Sequence, residues 1–323
     1  LPSVSVVIPA YRPDGFDALR ASMAVNTDTD AEWIVVDDGS GPAYDPVFEG
    51  LADTDVRVLR LPENRRQGAA RNAGLAEAGG AWVKFLDADD RLDPEHLSAL
   101  LRAARGAASG GIPFAPTKHV FVDGRASPND TWRDIAAEPE AQLARLLARP
   151  FLHHCGVLFP KELLTKLGGY DETLTTDEDG DLLIRMLQTG THFIAVPEVN
   201  YLYVHAERGG RVSSDNDVRK LEARLRVCDK VEESYAAQGT EMPPGIRRAL
   251  AQRLDKIAMS YWAVDRAQSK AALNRASRLD PGYVPDARWP LRTLRRVGGP
   301  SAALAASGVY RRLRNRPAGG TQG

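Results

Sequence analysis

Trp82-Val-Lys-Phe-Leu-Asp-Ala-Asp-Asp90 is a mostly apolar run that stops at three carboxylates. A short run of this kind, closed by a turn signal, reads as a strand buried on both faces. The same grammar recurs upstream. Val4-Ser-Val-Val-Ile8 stops at Pro9-Ala-Tyr11, Ile34-Val-Val36 runs into Asp37-Asp-Gly-Ser40, and Val56 to Leu61 alternates as far as Pro62. Helical patterns lie between: residues 67–78 are Ala-rich and end at Gly79-Gly80, and Asp93-Pro94 opens a helix expected to run to about Arg105. Strands alternating with helices predict an α/β fold with a parallel, doubly wound sheet. Ligands bind beyond the carboxyl ends of such strands. Here those ends carry Pro9 to Tyr11, Asp37-Asp38 and Asp87 to Asp90.

The chain has 323 residues, 43% hydrophobic and 26% charged, enough to bury a sizeable core. No apolar stretch approaches the roughly 18 residues of a spanning helix, and Leu1 to Tyr11 lacks the basic region that opens a secretory leader. Cys155 and Cys228 are the only cysteines, which excludes a disulfide scaffold and a four-cysteine zinc site and favours a reducing cytoplasm. Charge is unevenly placed: residues 1–215 hold 21 Lys+Arg against 33 Asp+Glu, and residues 216–323 hold 21 against 10. An acidic front and a basic rear suggest two jobs. Residues 106–131, rich in Gly, Pro and Ser, are expected to form loops and edge strands. Beyond about 216 the strand signal vanishes. Val218, Leu221, Leu225, Cys228, Val231 and Tyr235 mark one amphipathic helix, and Ile246, Leu250, Leu254, Ile257 and Tyr261 another. Lys270 to Gly282 looks like the second helix of a tetratricopeptide unit, present once. The expected divisions are 1–105, 106–215, a helical appendage at 216–285 and a basic tail at 286–323.

Taken singly, the polar motifs are ambiguous. Asp87-Ala-Asp89 offers hard oxygen ligands to Mg²⁺ or Mn²⁺, but acidic residues also cap helices. Asp38 could accept from a nucleobase N–H, yet Asp-Gly is a common turn pair. Arg65, Arg66 and Arg71 flank the small residues Gly68-Ala-Ala70, a setting for an anion or for a solvated face. His153-His154-Cys155 has the wrong spacing for a zinc site, so it either lines an acceptor pocket or packs. Trp132 and Tyr170 could stack on a sugar or fill the core.

Taken in order, they become specific. Val4-Ser-Val-Val-Ile-Pro-Ala-Tyr11, Val35-Val-Asp-Asp-Gly-Ser40, Asn64 with Gly68-Ala-Ala-Arg-Asn-Ala-Gly74, Phe85-Leu-Asp-Ala-Asp-Asp90, Leu167-Gly-Gly-Tyr-Asp-Glu172 and Glu178-Asp-Gly-Asp-Leu-Leu-Ile-Arg185 follow one another along the chain. Together they resemble the family 2 glycosyltransferases, inverting enzymes of the GT-A fold, over residues 3–213. The resemblance implies that Pro9, Tyr11 and Asp38 line a base pocket, that Arg71 faces the diphosphate, and that Asp87 lies near the ribose or sugar. It implies that Asp89 holds Mn²⁺ or Mg²⁺ with help from His205, that Asp179 is the general base, and that Tyr170 and Glu178 border the acceptor. Asp177, Glu178 and Asp181 crowd Asp179, and like charges are expected to raise its pKa. Gly180 stands where an aromatic is frequent, and Leu183 where Trp is common.

The implied donor is a nucleotide diphospho-sugar, UDP-linked most often, and the acceptor a sugar, a lipid-linked sugar or a small molecule. A sugar-nucleotide pyrophosphorylase is the main rival, but Pro9-Ala-Tyr-Arg-Pro13 replaces the Gly-rich loop it needs. A catalytically inactive binding subunit is the other. From Ala287 to Gly323 there are eight Arg and no acidic residue, with Trp289, Leu291, Leu294 and Val297 interleaved. Such a tail suits anionic lipid at the inner membrane face, a solvated end, or contact with the acidic half of a second copy in a homodimer. Nucleic acid is not expected, since no aromatic platform accompanies the arginines.

Overall fold

The computed structural model describes residues 2–107, 110–121, 123–128, 131–133, 135–205, 217–262 and 264–283. The segment 206–216 and the basic tail at 286–323 therefore lie outside the described residues. The chain divides into two compact units, Leu1–Arg211 and Val212–Gly323.

In the first unit, β1 (Val4–Ala10) is central in a five-stranded sheet. Val4, Val6, Val7 and Ile8 are fully buried, as strands covered on both faces require. β1 pairs in parallel with β2 (Ala31–Asp37) on one side and with β4 (Trp82–Phe85) on the other, and β3 (Val56–Arg60) extends the sheet beyond β2. The register Ala10↔Asp37 and Val7↔Phe85 brings the ends of β1, β2 and β4 to one edge. The crossovers carry α1 (Asp17–Ala24), α2 (Asp45–Glu49) and α3 (Arg66–Glu77). α3 lies so close to β1 that a Cβ on Gly74 would sit 2.3 Å from Val7 Cγ1. Only glycine permits that approach.

After β4 the sequence predicts a helix from Asp93, but β5 (Arg91–Leu92) comes first and α4 (His96–Gly106) starts three residues late. Glu95 adopts a left-handed φ of 57°, and the Asp93 carboxylate accepts instead from the backbone and side-chain amides of Asn200, at 2.9 and 2.7 Å. A cap residue has thus been recruited to hold a distant segment. The Gly/Pro-rich region contains short strands: β6 (Ile112–Phe114), β7 (Thr117–Phe121) and β8 (Ala126–Pro128). After α5 (Pro139–Ala148) and a 3-10 turn at His154–Gly156, β9 (Leu158–Pro160) joins the main sheet antiparallel to β4. α6 (Lys161–Lys166) and α7 (Glu178–Gln188) follow. β10 (Phe193–Ala195) pairs with β6, and β11 (Tyr201–His205) sits between β5 and β7 in a second sheet that β8 completes. The sheet is mixed rather than purely parallel.

Lys84 of β4 is wholly buried, and its Nζ donates to the Cys155 carbonyl oxygen. Burial pushes the ammonium down to about 7. The unfolded chain therefore binds more protons than the folded one between pH 7 and the ordinary lysine value of about 10.4, so stability gains from this site as pH rises through that window. In Lys84→Met the gain is absent. Melting temperatures of the two proteins should diverge between pH 7 and 9, with the wild type climbing relative to the variant; parallel curves would contradict the assignment.

The second unit contains α8 (Val218–Ala237), α9 (Pro244–Tyr261) and α10 (Arg266–Leu279). Of the predicted stripe residues, Leu221, Cys228, Val231, Ile246, Leu250, Leu254, Ile257 and Tyr261 are buried, Leu225 and Tyr235 are half-buried, and Val218 at the start of α8 is exposed. Asp265 caps α10, and Arg275 ties α10 to Asp229 and Glu232 of α8. Among the described residues no helix is long and apolar enough to cross a membrane.

Candidate active site

The turn after β4 is held by its most buried acid. Asp90 accepts from the Val204 amide at 2.7 Å and from the Tyr201 hydroxyl, which fastens the turn to β11. Burial, reinforced by the charge of Asp87, pushes Asp90 up to about 8. Asp87 is partly exposed and Asp89 is on the surface. His205 ends the same strand that Asp90 anchors, and its Nε2 lies 3.0 Å from Nδ1 of His119. The predicted metal ligands Asp89 and His205 thus belong to one turn and to the strand bound to it.

Behind the turn lies a buried ionic network. Arg71 on α3, with 1% of its side chain exposed, donates to Asp87 Oδ1 at 2.7 Å and lies 3.4 Å from Glu178 Oε1. Gln67 donates to the same Glu178 oxygen at 2.6 Å. Burial opposes the charge on Asp87, but the guanidinium prevails and holds the carboxyl down at about 2. The resemblance placed Arg71 against a diphosphate and Glu178 against an acceptor. Here both side chains are buried and turned to each other, so Arg71 joins α3, the β4 turn and the start of α7. Tyr170 is likewise buried, edge-on to Phe85 at 5.0 Å, with the Arg71 guanidinium 5.3 Å from its ring centre. It packs under the site rather than presenting a face for a sugar. Trp132 is half-buried, with the Arg133 guanidinium 4.9 Å from its ring.

Asp179 stands in the first turn of α7, following Asp177 in a left-handed conformation of φ 64°. Its side chain retains 39% exposure. At Gly180, where the family pattern favours an aromatic, a Cβ would meet Asp177 Oδ1 at 2.6 Å, so a larger residue there would displace the Asp177 carboxylate. The expected rise of the Asp179 pKa is overturned. Burial does push it up, but His154 and His153 outweigh burial and hold it below the usual carboxylate range. The crowding carboxylates are engaged elsewhere, Asp181 with Arg185 at 2.7 Å and Glu178 with Arg71 and Gln67.

What the sequence did not reveal is the partner of His153 and His154. They sit on the 3-10 turn after α5, His154 Nδ1 is 3.5 Å from Asp179 Oδ2, and the charge of Asp87 is felt by His153. Their only sequence signal is adjacency. Nothing in the spacing announces a pairing with a carboxylate 25 residues on. With Cys155 they bring three potential metal-ligating atoms within 4.8 Å. Burial and the charge of Asp87 push the Cys155 thiol well up, however, and a protonated sulfur is not the thiolate that soft metals require.

At the other end of the edge, Asp38 is buried after β2, accepting from the Arg65 amide at 2.7 Å and from Asn64 Nδ2 at 3.0 Å. Burial raises its pKa despite these donors. Ser40 is held by Asp37 and in turn accepts from the Arg12 amide. Pro9 closes β1, and Tyr11 beyond it is 46% exposed. Arg12 and Arg66 take φ of 49° and 72°, so with Asp177 three of the four non-glycine left-handed residues among those described lie in the β1 loop or at the starts of α3 and α7. Strain of that kind concentrates at functional sites.

Comparison with known proteins gives the family and the fold. The family model described as glycosyl transferase family 2 matches residues 5–168. Succinoglycan biosynthesis protein ExoO of Rhizobium meliloti is 29% identical over 249 residues, 74% of this chain and 70% of that protein. ExoU of the same organism is 28% identical over 283 residues, 80% and 78% of the two chains. Among solved structures, S. aureus TarS 1-349 in complex with UDP-GlcNAc superposes with a TM-score of 0.65 at 18% identity, covering 96% of this chain and 91% of that one. The mannosyltransferase PcManGT from Pyrobaculum calidifontis, in complex with GDP-Man and Mn²⁺, gives 0.53 at 20% identity over 97% and 81%. The six motifs, the mixed sheet with its acidic edge and the family match over half the chain lead to one assignment: the chain belongs to glycosyl transferase family 2 and is a glycosyltransferase of the GT-A fold.

Proposed function

We propose that the protein is a metal-assisted, inverting glycosyltransferase that moves a sugar from a nucleotide diphospho-sugar, UDP-linked by preference, to an acceptor hydroxyl. The observation that carries this reading is Asp179. It is a partly exposed carboxylate at a helix start, kept ionised by the same pair of histidines that acts on Asp87. An ionised carboxylate accepts the acceptor's hydroxyl proton as that oxygen bonds to the anomeric carbon. The bond from the anomeric carbon to the diphosphate oxygen breaks on the opposite face, and its electron pair leaves with the nucleotide. Inversion follows from the single displacement.

Pro9, Tyr11 and Asp38 form the base pocket in this reading. Asp38 is pinned by backbone and amide donors, so a nucleobase N–H meets a preorganised acceptor. Asp87 borders the ribose or sugar, with Arg71 holding it from behind. Glu178 and Tyr170 shape the acceptor side from beneath. In this reading Asp89, exposed on the turn, would hold Mn²⁺ or Mg²⁺, together with the Oδ2 of Asp87 that Arg71 does not take and with His205 on the strand tied to that turn. Such an ion would supply charge to stabilise the departing diphosphate. Neighbours of the same fold bind UDP-GlcNAc, or GDP-Man with Mn²⁺, and two relatives are named for succinoglycan biosynthesis, which supports a nucleotide-sugar donor and a saccharide acceptor. The basic tail at 286–323 would suit an anionic membrane face, where a lipid-linked acceptor would be met, or the acidic half of a second copy.

The test is a thermal-shift screen of UDP, GDP, dTDP and CDP, each with and without Mn²⁺. A ligand that binds only the folded chain raises its melting temperature, by about 2.7 kcal/mol of stabilisation at a hundredfold excess over Kd. One nucleotide, UDP, should give a shift that grows with Mn²⁺, and Asp89→Asn should abolish the metal-dependent part alone. No shift with any nucleotide would overturn the donor assignment.

A further inference from the structure

We infer that His154 is the positioning residue of Asp179, its Nδ1–H aimed at the carboxylate and its tautomer set by the thiol of Cys155. The inference deepens the reading of Asp179 as base and rests on it. His154 is 3% exposed, and its Nδ1 is buried without a hydrogen-bond partner, facing Asp179 Oδ2 at 3.5 Å. A bare ring nitrogen pointed at a carboxylate would be repelled, so Nδ1 carries the proton. The atom beside Nε2 is Cys155 Sγ at 3.2 Å. That sulfur is buried and keeps its hydrogen, so S–H donates to Nε2 and completes the chain from Cys155 through His154 to Asp179.

At 3.5 Å the last link is an ion-pair distance and not yet a full hydrogen bond. Catalytic contacts commonly tighten only when substrate fills the site. The ring cannot drift meanwhile. It lies edge-on to Tyr170 at 6.1 Å and against His153 at 4.7 Å, and both neighbours are themselves packed, Tyr170 on Phe85 and His153 stacked on Tyr201. Asp179 is thereby faced by a directed ring N–H in a fixed position and not by a long, mobile lysine ammonium.

The groups that face Asp179 are His154 and His153 from the 3-10 turn, Tyr170 from the preceding loop, and Asp177 and Glu178 from its own helix start. His153 is held neutral above about 4 by burial and by His154. Removing the His154 donor leaves burial as the dominant influence, so Asp179 should then titrate higher.

The experiment is a pH titration of the carboxyl carbons in the full chain labelled with ¹³C-aspartate, with Asp179→Asn identifying the resonance. In wild type Asp179 should stay ionised to the lowest pH at which the protein remains folded. In His154→Phe its midpoint should rise to or above the ordinary value of about 3.9, and in His154→Asn, whose amide replaces Nδ1–H, it should fall back. Cys155→Val, which removes the S–H donor but keeps the packing, should raise the midpoint too and answers the question if His154→Phe does not fold. An Asp179 midpoint unmoved in the folded variants overturns the inference. Whether Asp179 is the base is decided separately by the turnover of Asp179→Asn, so a failure of either claim is seen on its own.

Discussion

Asp179→Asn is expected to lower transfer by a factor of about 10² to 10⁴, the usual range for losing a positioned general base, while nucleotide binding is unchanged. Asn has the size of Asp and leaves α7 intact, and its carbonyl oxygen can still accept from His154. What it lacks is a site for the acceptor's proton. The proposed base pocket at Pro9, Tyr11 and Asp38 lies at the ends of β1 and β2, away from α7 and Asp179 in sequence. The loss should therefore appear in kcat and not in the Kd of the nucleotide, with residual turnover coming from stabilisation of the leaving diphosphate. Steady-state rates with the donor identified by thermal shift, alongside nucleotide binding by calorimetry, measure both. Turnover within a few-fold of wild type would remove Asp179 from the mechanism.

Arg71→Met should destabilise the protein by about 3 to 5 kcal/mol at neutral pH, the scale for removing one partner from a buried ion pair. Met approximates the length of the arginine stem but leaves Asp87 and the buried Glu178 facing each other with no cation between them. Only Gln67 still donates to Glu178. The pH dependence has a definite sign. Asp87 titrates at about 2 in the folded chain because Arg71 overcomes the effect of burial, against about 3.9 when unfolded. The stability that Arg71 gives through Asp87 is present above pH 4 and lost as pH falls toward 2. The gap between wild type and variant in urea unfolding should therefore narrow below pH 4. Adding Glu178→Gln should recover part of the deficit, because the two sites share one network. A variant as stable as wild type at pH 7 would mean that Arg71 does not hold these elements together.

The motifs differ in how openly the sequence displayed them. Val4 to Ile8 and Trp82 to Leu86 were readable because a strand buried on both faces must be apolar along its length, and the carboxylates that end them are local facts of sequence. The helices of the second unit were readable for the same reason, since their apolar stripes recur at helical spacing. Helix α4 was misplaced because Asp93 has two possible partners. The nearby amides would make it a cap, and Asn200, 107 residues away, has taken it instead.

Residue identity determined the parallel core, the acidic edge and the family, because each depends on composition and order over a few residues. Tertiary structure alone decided what the polar groups do. Arg71 is an internal strut because Asp87 and Glu178 converge on it from β4 and α7. Asp179 is held ionised, not driven toward neutrality, because a turn 25 residues upstream puts His154 against it while Arg185 and Gln67 occupy the carboxylates beside it. The charge state and reach of a side chain depend on which groups lie within a few ångströms, and for these residues those groups come from distant parts of the chain.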